Sequence, residues 1–498
     1  MNRRSSGILL HLTSLPGPFG IGDMGPQAYR FVDFLAQTKQ SFWQILPLTP
    51  TDRDHDHSPY HSSSAFAGNP LLISLERLVE DGLLADADIA SASDYPADRV
   101  NFSAVTAHKE TLFQLAYDRF RARGGDVEFE RFCRQHAGWL DDFVLFGSLK
   151  SHYHGDPWNK WPAEIRDRDP HALLTVQDEL SERLQELKFR QYIFYRQWSD
   201  LRRYGRQKHI QVIGDLPIYL PYDSTDVWVH PELFKLGEDK QPSVVSGVPP
   251  DYFSDTGQLW GHPVYSWDAL QKSDYNWWIR RVEHQLDLFD VVRIDHFRGL
   301  VAYWEVPASD KTAVNGKWIP VPVDDFLNRL MKHFACLPII AEDLGTITPD
   351  VREIMSRYRL PGMRVLLFAF GEDFPTGAFL PHNHVKHCFI YTGTHDNNTV
   401  RGWFENEADA EQKKRLLRYL GRDIPVSEIS REMVRLAMMS VADTAIIPMQ
   451  DLLGLGTEAR MNDPSETNGN WHWRLDKDPF TREMIGRLRE MTETYGRS

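Results

Sequence analysis

The sequence predicts an α/β chain folded as a (β/α)8 TIM barrel, and three observations carry that expectation. Eight short apolar runs of strand character recur along the chain, at residues 7–12, 42–48, 212–218, 291–296, 338–342, 364–370, 388–391 and 445–449. Amphipathic segments lie between them, and strands alternating with helices give a parallel sheet that closes at eight. Three of the runs lead into carboxylates, Asp295, Glu342 and Asp396, at the strand ends where a barrel presents its reacting groups. An open doubly wound sheet fits the strand count as well. No strand is followed by the Gly-rich turn of a nucleotide-binding version.

Taken in order, the first two runs flank a helical pattern at 26–38, in which Tyr29, Phe31, Phe34 and Leu35 share a face. Roughly 160 residues then separate the second and third runs, far more than one crossover helix needs. That stretch holds the helical patterns 106–121 and 179–204 and a Trp-rich segment at 139–161. It is expected to form a mostly helical insertion, residues 51–209, at the mouth of the barrel. A second insertion, residues 221–265, is rich in Pro, Gly and aromatics and contains Gly247-Val248-Pro249-Pro250-Asp251-Tyr252. A loop that long near the reacting end reads as a lid between strands three and four. Trp278, Val282, Leu286 and Phe289 then mark a helix leading into the fourth strand. The whole chain, 1–498, reads as one catalytic domain without internal repeats.

Composition narrows the partners. A net charge of −14 argues against nucleic acid or an anionic membrane surface and leaves a neutral partner. Aromatic residues make up 12% of the chain, with 15 Trp. Three cysteines, Cys133, Cys336 and Cys388, are widely spaced and fit reduced thiols in the cytoplasm. Cys336 and Cys388 lie beside strand runs and are expected to be buried. The apolar stretch at 8–12 is too short for a signal peptide, and no run has membrane-spanning length.

The three strand-end carboxylates match one reaction class. Breaking a sugar acetal with retention takes a nucleophilic carboxylate and a carboxylic acid that protonates the leaving oxygen, about 5–5.5 Å apart. Asp295 is the candidate nucleophile, because Arg293 two residues earlier shares its side of the strand and keeps it ionised. Glu342 is the candidate acid, since it follows Pro-Ile-Ile-Ala and sits beside Asp343, apolar walls and a carboxylate that would raise its pKa. Asp396, between His395 and Asn397-Asn398 in a dense polar tract, is the candidate transition-state stabiliser. The tetrad Asp54-His55-Asp56-His57 offers metal-ligand types, but alternating loop residues rarely face one centre, so no metal and no cofactor are expected.

These motifs resemble the amylomaltases, the 4-α-glucanotransferases of glycoside hydrolase family 77. The resemblance spans nearly the whole chain. It runs from Gly7-Ile8-Leu9-Leu10-His11-Leu12-Thr13-Ser14 and Trp43-Gln44-Ile45-Leu46-Pro47, through Ser58-Pro59-Tyr60 and Gly214-Asp215-Leu216-Pro217-Ile218-Tyr219, to Trp260-Gly261 and the three carboxylate motifs. It ends at Pro448-Met449-Gln450-Asp451, Arg460-Met461-Asn462 and Gly469-Asn470-Trp471. The resemblance implies a barrel with inserted subdomains, a lid and no C-terminal β-sandwich, and a double displacement through Asp295, Glu342 and Asp396. It further implies that Asp215, Arg293, His296 and His395 contact the sugar at the reacting position and that Tyr60 stacks on it. Asp251 and Trp260 would belong to the lid or a subsite, and Asn462 to the same cleft. The implied partners are maltooligosaccharides, amylose and other starch- or glycogen-derived α-1,4-glucans, with glucose as acceptor. One departure stands out: Ser465 follows Pro464 where the family commonly has Gly. A hydrolase of α-1,4-glucans using the same carboxylates is the alternative reading.

Overall fold

The computed structural model describes residues 4–90, 95–250, 254–476 and 478–498. Eight parallel strands form one sheet: β1 (Ser5–Leu9), β2 (Phe42–Gln44), β3 (Gln211–Leu216), β6 (Val291–Ile294), β9 (Ile339–Ala341), β10 (Gly362–Val365), β11 (Cys388–Tyr391) and β12 (Thr444–Pro448). Their order, β10-β11-β12-β1-β2-β3-β6-β9, follows the chain around a ring. The ring closes where Ala341 N–H donates to Pro361 O at 2.9 Å and Met363 N–H donates to Asp343 Oδ1 at 2.6 Å. This is the (β/α)8 barrel.

All eight apolar runs contain a strand, but three overshoot it by three residues or more. The first strand stops at Leu9, the second at Gln44 and the sixth at Val365, after which Leu366–Phe368 form a 3-10 turn. Leu10, Leu12, Ile45, Leu46, Leu48, Leu366 and Leu367 are nevertheless buried. They roof the C-terminal end of the barrel, so hydrophobicity continues where the hydrogen-bonded ladder has ended. Small residues set how closely the surrounding helices approach: a Cβ on Gly214 of β3 would meet the Phe289 ring at 2.1 Å.

Between β2 and β3 the chain runs mostly through helices, the longest being Phe102–Ala122, Val127–His152 and Ser181–Gln207. The helix Pro26–Gln37 buries Phe31, Phe34 and Leu35 as its spacing predicts. The expected lid is not an irregular loop. Part of it forms β4 (Val244–Val248) and β5 (Gln258–Pro263), which join β7 (Ala302–Pro307) and β8 (Lys317–Pro320) in an antiparallel sheet of order β5-β4-β7-β8. Cys388 is buried as expected. Cys336 is exposed, because it precedes β9 and lies outside the ladder. The described chain ends in the helix Arg482–Thr494, with no β-sandwich after β12 among the described residues. No helix among them is long and apolar enough to cross a membrane.

Candidate active site

Strand register builds the site. Asp215 and Arg293 are direct partners across β3 and β6, and Ile294 and Ala341 are partners across β6 and β9. Asp295 and Glu342 therefore leave neighbouring strands side by side, where strands lie about 4.8 Å apart. Asp295 N–H donates to Leu216 O at 3.0 Å and Glu342 N–H to Ile294 O at 3.1 Å, which carries the ladder one residue past the strands and fixes both backbones.

Arg293 joins the carboxylates. Its Nη1 reaches both oxygens of Asp215, at 2.8 and 2.7 Å, and its Nη2 reaches Asp295 Oδ1 at 2.9 Å. The Arg293 and Asp215 side chains are 3% and 0% exposed, whereas Asp295 is 29% exposed and open to the groove. Burial disfavours the guanidinium charge, but Asp215 and Asp295 outweigh it and raise its pKa well above the ordinary value. The cation is fixed, and Asp295 leans on it as a carboxylate oriented from below.

Glu342 has the opposite setting. It is 8% exposed, and its oxygens accept from His296 N–H at 2.8 Å and Leu344 N–H at 2.6 Å. Burial is the largest influence on its pKa; Arg293 opposes it and Asp295 reinforces it, for a net rise to about 7. The neighbouring Asp343 is not the carboxylate responsible, contrary to expectation. It turns to the barrel seam, accepting from Met363 N–H and from Arg364 Nη1 at 3.0 Å. Two adjacent acids thus do unrelated work, one facing the groove and one closing the sheet.

Asp396 enters from the loop after β11. Its Oδ1 accepts from Asn462 Nδ2 at 2.7 Å, its Oδ2 lies 3.3 Å from His395 Nε2, and its backbone oxygen accepts from Arg460 Nη2 at 3.1 Å. Burial works against its ionisation, but His395, Asn462 and Arg293 outweigh it and hold the carboxyl well below its ordinary range. Asn462 keeps this contact despite Ser465: that residue needs no left-handed backbone, and its hydroxyl bonds Asp463 Oδ1 at 2.6 Å.

Aromatic rings wall the groove. Tyr60 donates its hydroxyl to Asp215 Oδ2 at 2.8 Å and stacks on His395, with ring centres 5.0 Å apart and planes 14° apart. Trp471, not anticipated as a site residue, packs beside both, 5.7 Å from Tyr60 and 6.1 Å from His395. Trp260 of β5 meets the His296 ring edge-on at 4.7 Å, bringing the small sheet to the His296 side of the groove. Burial pushes the His296 imidazole down to about 4, and its Nε2 is buried without a hydrogen-bond partner, a neutral polar atom unsatisfied by the protein. Asp251 lies outside the described residues. Arg460 and Trp471 were missed because their reach toward Asp396 and Tyr60 depends on the chain returning some 70 residues after β11, a long closure that local pattern does not encode.

Comparison with known proteins agrees with this fold. A family profile described as 4-alpha-glucanotransferase matches residues 10–479. The chain belongs to this family. A 4-alpha-glucanotransferase of Aquifex aeolicus is 45% identical over 494 residues, covering 99% of both chains. One from Thermus thermophilus is 44% identical over 504 residues, again covering 99% of each. Among solved structures, an amylomaltase from Streptococcus agalactiae in complex with acarbose superposes with a TM-score of 0.95 at 39% identity, over the full length of both chains.

Proposed function

We propose that this chain transfers α-1,4-glucan segments between maltooligosaccharides, or onto glucose, by a retaining double displacement. The observation that carries the reading is the pairing of Asp295 and Glu342 on neighbouring strands in opposite electrostatic settings. Asp295, paired with Arg293, attacks the anomeric carbon as the bond from that carbon to the leaving 4-oxygen breaks. Glu342, held neutral up to about pH 7, gives its proton to that oxygen. The product is a glycosyl ester on Asp295 and a shortened glucan with a free 4-hydroxyl. An acceptor 4-hydroxyl then enters from the vacated face, loses its proton to the Glu342 carboxylate and displaces Asp295. Two inversions leave the α-configuration intact.

Asp396 stabilises the flattened, positively charged ring by holding its hydroxyls, with His395 and Asn462 keeping it ionised and oriented. Arg293, Asp215 and His296 supply the remaining polar contacts to that sugar, and Tyr60 the apolar face. Trp260 forms the lid side of the subsite. The inserted segments 51–209 and 221–265 act as parts of one catalytic unit built on residues 1–498, bordering the groove and sheltering the ester from water. Longer α-1,4-glucans, such as amylose and fragments of starch or glycogen, fit an open groove of this kind. The reaction needs neither cofactor nor metal, and an acidic chain with thiols unpaired among the described residues suits the cytoplasm, away from membranes and nucleic acid.

The test is incubation of the purified protein with maltotriose, resolving products by chain length. Glucose plus a ladder of longer chains is expected, unchanged by chelator. A steady rise in reducing ends with no longer chains at any time makes the protein a hydrolase and overturns the proposal.

A further inference from the structure

A second cluster of functional side chains lies in the turn that leads into Tyr60. Asp52 sits between two imidazoles: Oδ1 is 2.8 Å from His55 Nδ1 and Oδ2 is 3.4 Å from His61 Nδ1. One ligand-type atom from each of the three residues lies within 4.8 Å of the others. The two imidazole rings stack with planes 14° apart, and the His61 Nδ1 is buried with no hydrogen bond. A third imidazole, His262 of β5, approaches from the small sheet, its ring centre 5.3 Å from that of His61.

Asp52 also closes the turn locally, its Oδ1 accepting from His55 N–H at 3.0 Å. Asp56 and His57 take left-handed backbone angles, φ 50° and 55°, and project elsewhere. Asp56 binds His472 Nε2 at 3.1 Å and Asn470 N–H at 2.8 Å, while His57 stacks on Phe102 at 4.2 Å. The tetrad 54–57 therefore does not converge on one point. The set that does converge is Asp52, His55 and His61, which the linear pattern hides behind spacings of three and six residues.

Two imidazole nitrogens and a carboxylate form a donor set for borderline divalent ions, whereas calcium and magnesium prefer all-oxygen sites. Bonds of about 2.0–2.1 Å in a tetrahedron separate neighbouring donors by about 3.3 Å; the three donor atoms here lie within 4.8 Å of one another, and because an imidazole binds an ion in its ring plane, the stacked His55 and His61 rings, 3.2 Å apart at their centres, must turn out of their stack to face one ion. We propose that Asp52, His55 and His61 form a zinc-type divalent metal site beside the groove, with its fourth position open to water and next to His262. The site lies outside the carboxylate cluster and takes no part in glycosyl transfer.

The experiment is a zinc titration of the untagged, full-length, chelator-stripped protein against a chromophoric competitor. One equivalent should bind at micromolar affinity or tighter. His55→Ala, His61→Ala and Asp52→Asn should each weaken binding at least about tenfold, while His333→Ala, at the exposed end of a helix, should not. Cobalt should give the intense visible absorption of a tetrahedral site in the parent protein and lose it in His61→Ala. Unchanged thermal midpoints of the metal-free variants keep a loss of binding from being a loss of fold. Absence of a stoichiometric zinc event, or the same isotherm in the parent and His55→Ala, overturns the proposal.

Discussion

Replacing Glu342 with Gln separates proton donation from every other part of the reaction. The substitution keeps the shape and one carbonyl acceptor for the backbone N–H groups of His296 and Leu344, but removes the proton that the leaving 4-oxygen needs. General acid catalysis is worth about 10²–10⁴ in rate, or about 3–5 kcal/mol of barrier at about 1.4 kcal/mol per decade. Glycosylation from maltotriose should fall by that factor. Glucosyl fluoride, whose leaving group needs no proton, should lose less than about tenfold. The pH profile adds an independent reading. A pKa of about 7 means that kcat/KM for maltotriose falls by about a decade per unit above that pH as the acid ionises, and the variant should lack this limb. Single-turnover quench measurements on both donors between pH 5 and 9, on the order of the range spanning that pKa, decide the matter. Equal losses on the two donors, or an alkaline limb that survives in the variant, would refute the assignment of Glu342 as acid.

Three further substitutions probe the frame around it. Asp295→Ala should abolish turnover while cooperative unfolding persists, and a fluorinated glucosyl donor should label Asp295 in the parent protein; a label found on Glu342 by peptide mass spectrometry would reverse the two roles. Asp215→Ala should cost about 3–5 kcal/mol in urea unfolding, because it leaves the 3%-exposed Arg293 without its main partner; an unchanged midpoint would show that Asp295 alone satisfies that charge. Gly362→Ala should cost about 1–3 kcal/mol, since its Cβ would meet Asp343 Oδ1 at 2.6 Å in the barrel seam; wild-type stability would mean that the seam has slack.

The barrel was readable because each of its strands sits in an apolar run, and the misjudged ends have a common cause. Burial and strand pairing coincide inside the ladder but part company at its C-terminal edge, where Ile45, Leu46, Leu366 and Leu367 stay buried after pairing stops. The small sheet was missed for a different reason. β4 pairs with β5 in a bulged register and with β7 from some 60 residues later, and long-range pairing of short strands leaves little local signal. Within the site, strand-end carboxylates announce themselves by contrast with the apolar residues before them. Their division of labour does not. Asp343 stands one position from Glu342 and serves the seam, because successive residues on a strand point to opposite faces and only the closed ring shows which face has work to do.

That division of labour also carries a cost that can be measured. An acid kept neutral to about pH 7 is one whose charge the folded protein disfavours relative to the unfolded chain, where the same group ionises near 4.5. Below the unfolded value both states hold the proton and Glu342 contributes no pH dependence. As pH rises from there toward the folded value, the unfolded state binds fewer protons than the folded one, so stability declines, and above about 7 the loss is complete. At about 1.4 kcal/mol per unit the whole penalty is about 3 kcal/mol. Glu342→Gln carries no such ionisation. The unfolding free energy of the parent protein relative to the variant should therefore decrease by about that amount between pH 4.5 and pH 7.5, on the order of the full titration span, and level off beyond it. Arg293 moderates this penalty without cancelling it, since its charge is already shared between Asp215 and Asp295. A parent-to-variant difference that stays flat across that range would mean that Glu342 is stabilised as a carboxylate in the free protein, and the acid would then have to acquire its proton only when the glucan closes over it.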